Sequence, residues 1–181
     1  MRRFLVVFIL CLLAVVSTGC KKARFRAQLR ELMGSTIVLP EKIVCVDKGE
    51  VFPIPDSLRN KPMLIVYIDS ADCATCRLSR IWTYDRVVEL ASSHNVAVVI
   101  LLASIELDGI PMTRYLSDIE LPLPVYVDEE NAFLRKNPAA NQDARLHAML
   151  IDGSGRPLFV GDPLASRALS RVFESVIDQY Y

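Results

Sequence analysis

Long apolar runs and amphipathic segments alternate along most of this chain. Met63–Asp69 is almost continuously apolar, which is typical of a strand buried on both faces of a sheet. Val96–Ala103 and Pro124–Val127 repeat that pattern. From Ala74 to Ser92, apolar residues instead recur every three or four positions and predict a helix, as does the segment Pro111–Ile119. Elements that alternate in this way predict parallel strands joined by helices.

The last part of the chain predicts a β-hairpin and a closing helix. His147–Ile151 and Pro157–Val160 are apolar runs on either side of Asp152–Gly155, whose two glycines permit a tight turn. The helix follows, and its predicted apolar stripe consists of Ala165, Leu169, Val172, Val176 and Tyr180. Together with the preceding pattern, these elements predict a sheet covered by helices on both faces.

Three features that could suggest a site are better explained by structure. Asp128–Glu130 places negative charge at the start of a predicted short helix, where the helix dipole favours it, so these residues are expected to cap that helix. Trp82 is the single tryptophan and lies within a predicted helix, so it is expected in the core. His94 lies in a polar stretch and is expected to be exposed.

Two short β-like runs precede the main pattern. Thr36–Pro40 and Ile43–Val46 predict a hairpin at the entrance to the domain. Cys45 lies in the second run between two valines, where a cysteine most often acts as a small buried apolar residue. A role for Cys45 as a third redox cysteine is the alternative that the sequence leaves open.

The first nineteen residues have the pattern of an export signal. Arg2 and Arg3 form a basic start, and Phe4–Val16 forms an apolar stretch that is short for a bilayer span. The small residues before Cys20 resemble the lipobox of bacterial lipoproteins. That resemblance implies that Cys20 is lipid-modified and becomes the new N-terminus. An ordinary secretory peptide or an N-terminal anchor is the alternative.

The next segment, residues 20–36, predicts a lipidated basic tether, within which Ala23–Met33 could be helical. Lys21–Arg26 carries four basic side chains, which could rest on anionic headgroups or simply be solvated. Without the first nineteen residues, 162 residues remain, with 19 basic and 21 acidic side chains. That length suits one domain, predicted over 37–181, and the balanced charge argues against a nucleic-acid partner.

The stretch with the clearest chemistry is Cys73-Ala74-Thr75-Cys76, a C-x-x-C at the start of a predicted helix. Residues three positions apart on a helix have Cβ atoms about 5–6 Å apart, close to disulfide geometry. The first cysteine of such a pair faces unpaired N–H groups and the positive end of the helix dipole, which lower the pKa of its thiol. Cys73 is therefore the expected attacking thiol and Cys76 the resolving one. Export favours a disulfide here, since disulfides persist outside the cytosol.

The order of elements, with C-x-x-C after the first central strand, resembles the thioredoxin fold over roughly Ile37–Tyr181. Leu150–Pro157 looks like the L-I-D-x-x-G hairpin of membrane-anchored thiol–disulfide proteins of the cytochrome-maturation type. Tyr67–Leu78 is similar to the corresponding stretch of bacterial envelope lipoproteins with this fold. The resemblance implies an α/β fold: a thioredoxin-like central mixed sheet flanked by helices, with an N-terminal β extension.

The chain departs from that family at two positions beside the cysteines. Asp72 stands where members usually carry tryptophan, and Leu146 stands where they carry a cis-proline. His147 follows, and the alignment places it opposite the C-x-x-C. In the family the cis-proline helps to seat a substrate chain and keeps metals away from the thiols. The departure therefore implies different substrate handling and easier capture of a metal.

The resemblance implies a thiol–disulfide oxidoreductase that needs no cofactor and no metal and acts in the bacterial cell envelope, facing the periplasm. Its partners would be exported proteins with thiols or disulfides, an unidentified electron donor, and the membrane through the lipid on Cys20. One alternative is a non-catalytic envelope module in which the two cysteines form a structural disulfide. Another is a Cu(I) metallochaperone that uses Cys73, Cys76 and His147. A thiol peroxidase is disfavoured, because Val66 stands where the peroxidase pattern requires proline.

Charged neighbours are expected to set the redox properties of the pair. Arg77 favours a thiolate if it points towards the sulfur, whereas Asp72 caps the helix but places negative charge beside Cys73, and Asp69 has the same effect. We expect the cysteine pair to have a lower reduction potential than strong oxidants of this fold, whose reduction potential is about −120 mV. Titration against a redox buffer measures this potential, in which about 30 mV corresponds to 1.4 kcal/mol. A value as oxidising as that of the strong oxidants would contradict the expectation.

Overall fold

A computed structural model describes residues 21–69, 81–107 and 109–181 of the chain. Its strands are β1 (Ile43–Asp47), β2 (Glu50–Pro53), β3 (Met63–Ile68), β4 (Ala97–Ala103), β5 (Glu106–Leu107), β6 (Ile110–Pro111), β7 (Val125–Asp128), β8 (Ala148–Ile151) and β9 (Pro157–Val160). Its helices are α1 (21–33), α2 (Asp56–Arg59), α3 (Asp85–Ser93), α4 (Met112–Ser117), α5 (Phe133–Lys136) and α6 (Arg167–Tyr180). Short 3-10 helices cover Ile81–Thr83, Ala140–Gln142 and Ala144–Leu146.

The central sheet has seven strands in the order β2-β1-β7-β4-β3-β8-β9. β3, β4 and β7 are parallel, whereas β8 and β1 run antiparallel to β3 and β7. β9 pairs with β8 as the predicted C-terminal hairpin. The strands therefore form the predicted mixed sheet, and the long apolar runs are its centre, where neighbours cover both edges of each strand.

Helices cover both faces of the sheet, as predicted. Alternate residues of β3 point to opposite faces, so Leu64, Val66 and Ile68 enter one core while Met63, Ile65 and Tyr67 enter the other. The first core also contains buried residues of α3, α4 and α6. The second contains residues of α1 and α5. All six residues of β3 are buried, which explains their continuous apolarity.

Part of the predicted tether packs on the domain as a helix. In α1, Leu32 is fully buried in the second core, and Phe25 and Leu29 pack against it. These residues are three and four positions apart, so they form one apolar stripe of the helix. The packed structure of the chain thus begins well before residue 37.

The entrance hairpin contains the predicted strand at Ile43–Val46, but that strand pairs with the strand after it rather than with the run before it. β1 pairs with β2 through a turn at Lys48 and Gly49, whose φ angles are +50° and +82°. Two successive positive φ angles fit the type I′ turn, whose twist matches that of a β-hairpin. The run Thr36–Pro40 forms no strand; instead the Ile37 N–H donates to the Gly155 carbonyl. The prediction missed β2 because the strand is short and Pro53 and Pro55 indicate a break in the chain rather than a strand.

Two packing predictions for the helices were wrong. Trp82 is 56% exposed, because Ile81–Thr83 is a 3-10 helix that ends before α3 begins and so turns this residue away from the core. In α6, Leu169 and Val176 of the predicted stripe do pack against the first core, but the fully buried residues are Phe173 and Ile177, while Val172 and Tyr180 are about half exposed. Within the part of the chain that the structure describes, no helix combines the length and the apolarity needed to cross a membrane.

The β8–β9 turn packs closely against the segment before β1, so we expect a methyl group added at Gly155 to destabilise the protein strongly. Gly155 has a φ of +83°, and a Cβ there would lie 2.5 Å from the Ile37 carbonyl oxygen. We expect Gly155→Ala to lower the free energy of unfolding by about 3 kcal/mol, because backbone strain and a steric clash add together. Urea denaturation of the full chain measures this change.

Gly109 provides the matched control. Its φ is +78°, but a Cβ there would meet no atom within 4 Å. Gly109→Ala should therefore cost only the strain, about 1 kcal/mol. Equal losses for the two variants would contradict the packing described for Gly155.

Candidate functional site

The cysteine pair belongs to a segment that follows the central strand β3. Cys73 and Cys76, with Asp72 and Arg77, lie outside the described residues, and their predicted roles stay predictions. Asp69 is the last residue described before that segment; it follows β3 directly and is half-buried. Along the sequence the C-x-x-C therefore follows the carboxyl end of β3, an interior strand of the sheet.

His147 lies beside the end of β3. Its carbonyl accepts a 2.9 Å hydrogen bond from the Tyr67 N–H, and its ring meets the Tyr67 ring edge-on at 5.5 Å between centroids. The side chain is only 7% exposed. His147 thus contacts Tyr67, which is two residues before Asp69, the last described residue ahead of the cysteine segment. Whether it faces the thiols, as the sequence alignment implies, stays a prediction.

Leu146 has a different environment from its neighbour. It ends the 3-10 helix Ala144–Leu146, and its side chain is fully buried in the second core. The chain therefore places a core side chain at the position where the resemblance expects a substrate-facing proline. Leu146 can therefore affect the site only indirectly, by its packing in the second core and by positioning the backbone of its neighbour His147.

A cavity of about 560 Å³ lies against Tyr67 and His147. It opens between α1, the ends of β3 and β9, the start of β8 and the loop before α6. Its walls are mainly apolar and consist of Phe25, Leu29, Val66, Tyr67, Ala144, Arg145, His147, Ala148, Val160, Gly161, Asp162, Ala165 and Leu169. The sequence analysis missed this cavity. The helical spacing of Phe25, Leu29 and Leu32 was the available signal that α1 would pack and form a wall.

Arg145 connects α1 to the opposite wall of the cavity. Its guanidinium carbon lies 3.8 Å from the centre of the Phe25 ring, a cation–π contact. The same guanidinium binds Asp143 through two contacts, of 2.7 and 2.9 Å. This hydrogen bonding lowers the pKa of Asp143 to about 2, so Asp143 is ionised at neutral pH and compensates the charge of Arg145.

Asp162 joins the cavity wall to the element that follows the cysteine segment. The Tyr84 hydroxyl donates to Asp162 Oδ1 over 2.9 Å, and the Leu164 N–H donates to the same oxygen. Tyr84 immediately precedes α3 and is buried in the first core. The chain is therefore fastened on both sides of the segment 70–80, by the β3 ladder before it and by this hydrogen bond after it.

Tyr67 is held as a neutral group beside the site. Its ring stacks on Phe133 with 4.8 Å between centroids. Burial raises the pKa of Tyr67 far above its usual range, and the negative charges of Asp69 and Asp128 raise it further. Tyr67 therefore keeps its proton and contributes a polar hydroxyl but no charge.

Asp128 has the predicted capping role. It is fully buried, and its Oδ2 accepts a 2.7 Å hydrogen bond from the N–H of Phe133, the first residue of α5. Its neighbour Glu130 instead pairs with Lys42 at 2.6 Å on the surface. Neither contact indicates a catalytic carboxylate cluster.

Two further candidate residues lie away from this region. Cys45 is 2% exposed in β1, separated from β3 by two strands, and burial raises the pKa of its thiol. It is thus the buried strand residue that the sequence predicted. The prediction of an exposed His94 was wrong: its side chain is half-buried at the end of α3, 3.1 Å from the Leu90 carbonyl and 3.5 Å from Asp178.

No cluster of three metal-binding side chains occurs among residues 21–69, 81–107 and 109–181. The copper alternative therefore depends on Cys73 and Cys76, which lie outside those ranges. Of its three proposed ligands, the structure describes His147 alone.

Comparison with known proteins identifies the fold. No family model matches this chain, and no curated protein matches it. Among solved structures, it is similar to a putative thiol:disulfide interchange protein DsbE from Chlorobium tepidum, with a TM-score of 0.50, 17% identity, and coverage of 78% of this chain and 96% of that one. It is also similar to the reduced 2-Cys peroxiredoxin of Plasmodium vivax, with a TM-score of 0.51, 15% identity, and coverage of 81% and 80%. The chain has a thioredoxin-like fold, which confirms the predicted fold class.

Proposed function

We propose that this protein is a lipid-anchored thiol–disulfide oxidoreductase that acts on exported proteins through the Cys73–Cys76 pair. The observation that carries the proposal is the position of the C-x-x-C along the sequence, which begins five residues after Ile68, the last residue of β3 in a thioredoxin-like sheet. Tyr67 near the end of β3 and His147 beside it border a cavity of about 560 Å³. A solved structure of similar fold is described as a putative thiol:disulfide interchange protein, which agrees with this chemistry.

The proposed reaction is a two-step exchange. The Cys73 thiolate attacks one sulfur of a substrate disulfide and forms a mixed disulfide, while the other substrate sulfur leaves as a thiolate and takes up a proton. The Cys76 thiolate then attacks the Cys73 sulfur and releases the second substrate thiol. The substrate has gained two electrons, and the protein holds a Cys73–Cys76 disulfide. A separate dithiol donor must return it to the reduced form.

The described residues suit this reaction in two ways. Tyr67 stays neutral, so it adds no negative charge that would oppose a nearby thiolate. The apolar cavity borders the same strand end and would hold a polypeptide close to the C-x-x-C. Asp69 directly follows β3, and we propose that its negative charge disfavours the Cys73 thiolate and so makes the pair more reducing.

The proposed location is the bacterial cell envelope, with the domain facing the periplasm and tethered by a lipid on Cys20. The apolar stretch Phe4–Val16 and the small residues before Cys20 support this location. A periplasmic domain would meet exported proteins with disulfides, and its reductant would have to be another envelope dithiol.

Trapping of a covalent intermediate tests the proposed function. In the full-length Cys76→Ser variant the second step cannot occur, so mixed disulfides at Cys73 should accumulate and appear as reductant-sensitive adducts on a denaturing gel. The Cys73→Ser variant should form none. Cys45→Ser is the matched control, because Cys45 is buried far from β3, and it should leave exchange unchanged.

Two results would contradict the proposal. The first is an absence of adducts in Cys76→Ser cells, together with normal growth of Cys73→Ser cells under oxidative and reductive stress, which would favour a non-catalytic module. The second is tight Cu(I) binding that is lost in His147→Ala, without any exchange activity. That result would favour the metallochaperone.

A further inference from the structure

We propose that the cavity and the adjoining basic face of α1 together bind an extended polypeptide segment with an apolar anchor residue flanked by carboxylates. The inference names the substrate class of the site described above and rests on the proposed function only for the disulfide that this segment carries. The binding itself needs neither cysteine.

The apolar half of this binding site is the cavity. About 560 Å³ is enough to enclose large side chains, and the walls are mostly aliphatic and aromatic. Two small exposed residues, Ala144 and Ala165, lie in its walls and leave it open to solvent. An apolar side chain that entered here would lie against Tyr67 and His147, next to the end of β3.

The charged half is a second hollow on the same helix. Ala23, Arg26, Leu29 and Arg30 line it, and Leu29 lines the apolar cavity as well, so the two lie side by side on α1. Arg26 and Arg30 are four residues apart, are both exposed, and form no ion pair within the described part of the chain. Arg145 at the cavity differs from them, because Asp143 already compensates its charge. The free positive charge thus lies beside the apolar cavity rather than inside it.

The charge distribution of the whole chain favours an acidic partner at this position. Residues 21–33 carry five basic side chains and one acidic one, whereas residues 34–181 carry 14 basic and 20 acidic side chains. An acidic segment is therefore repelled by most of the domain and attracted by α1, which gives charge complementarity at one face only. An apolar anchor beside carboxylates satisfies both halves of the site at once.

The concave shape distinguishes a polypeptide from a membrane as the occupant. The apolar surface lies within a cavity bounded by α1, the loop before α6 and the segment before β8, where the flat face of a bilayer cannot follow it. A side chain on an extended segment can enter it. Anionic lipid remains the rival occupant of the basic face, and the test below includes it.

The binding test uses the full-length Cys73→Ser/Cys76→Ser protein in phosphatidylcholine nanodiscs, which carry no net charge. The probe is a fluorescein-labelled decapeptide with a central Leu-Trp pair and two glutamates on each side. Two control peptides replace the glutamates by lysines or the Leu-Trp pair by glycines. We expect the first peptide to bind at least tenfold more tightly than either control in fluorescence anisotropy titrations.

Two pairs of variants test the two halves of the site. Arg26→Glu with Arg30→Glu should weaken binding about tenfold or more, because each substitution replaces attraction by repulsion. Its control is Arg167→Glu with Arg171→Glu, the same spacing of exposed arginines on α6, outside both hollows. Ala165→Trp should fill the cavity and reduce binding about tenfold. Its control is the exposed Ala168→Trp, which does not line the cavity.

Equal affinity for all three peptides, or equal losses in test and control variants, would overturn the proposal. It would also be overturned if the α1 reversal left peptide binding intact but abolished binding to phosphatidylglycerol vesicles, since the basic face would then serve the membrane. The proposed function fails separately. Selective peptide binding without any trapped mixed disulfide supports this binding site and counts against the redox reaction. Normal reduction of glutathione disulfide by the wild-type protein, without selective peptide binding, supports the redox reaction and counts against this binding site.

Discussion

The hydrogen bond from the Tyr67 N–H to the His147 carbonyl closes the ladder between β3 and β8, and the rest of the site depends on it. β3 is buried on both faces and paired on both edges, with β4 on one side and β8 on the other. Its end therefore has little freedom to move. The chain leaves this end through Asp69 towards the cysteines, while His147 is held beside it. In the proposed reaction, this fixed strand end would hold the start of the cysteine segment beside Tyr67 and His147.

The helix α1 adds to this arrangement a wall that lies outside the sheet. Its apolar stripe ends in the fully buried Leu32, and the Phe25 ring is covered by the Arg145 guanidinium. Because Asp143 compensates Arg145, this contact joins α1 to the opposite wall of the cavity without adding an uncompensated positive charge there. Arg26 and Arg30, which form no ion pair with the described residues, lie on the surface next to the cavity. In the proposed binding site, α1 would therefore contribute apolar contacts on one face and positive charge on the neighbouring face.

The sequence allowed the central sheet to be predicted because its strands are continuously apolar, and it identified the cysteine pair by motif. The sequence-based prediction was wrong where apolar residues are exposed in the structure. The apolar residues of β2 are exposed, and in α6 Val172 and Tyr180 are about half exposed while Phe173 and Ile177 are buried. Trp82 is exposed because a 3-10 turn precedes α3. The cavity could not be foreseen, since it needs Phe25 and Arg145, 120 positions apart in the sequence, to meet in the fold.

The most direct test of this account counts the thiols that change oxidation state together. The full-length protein is equilibrated in a series of glutathione buffers, alkylated and weighed by mass spectrometry. We expect Cys73 and Cys76 to lose and regain their thiols in one reversible two-electron transition, with Cys45 reduced throughout. A pair that stays oxidised or reduced across the whole series, or a transition that involves one thiol alone, would contradict the account.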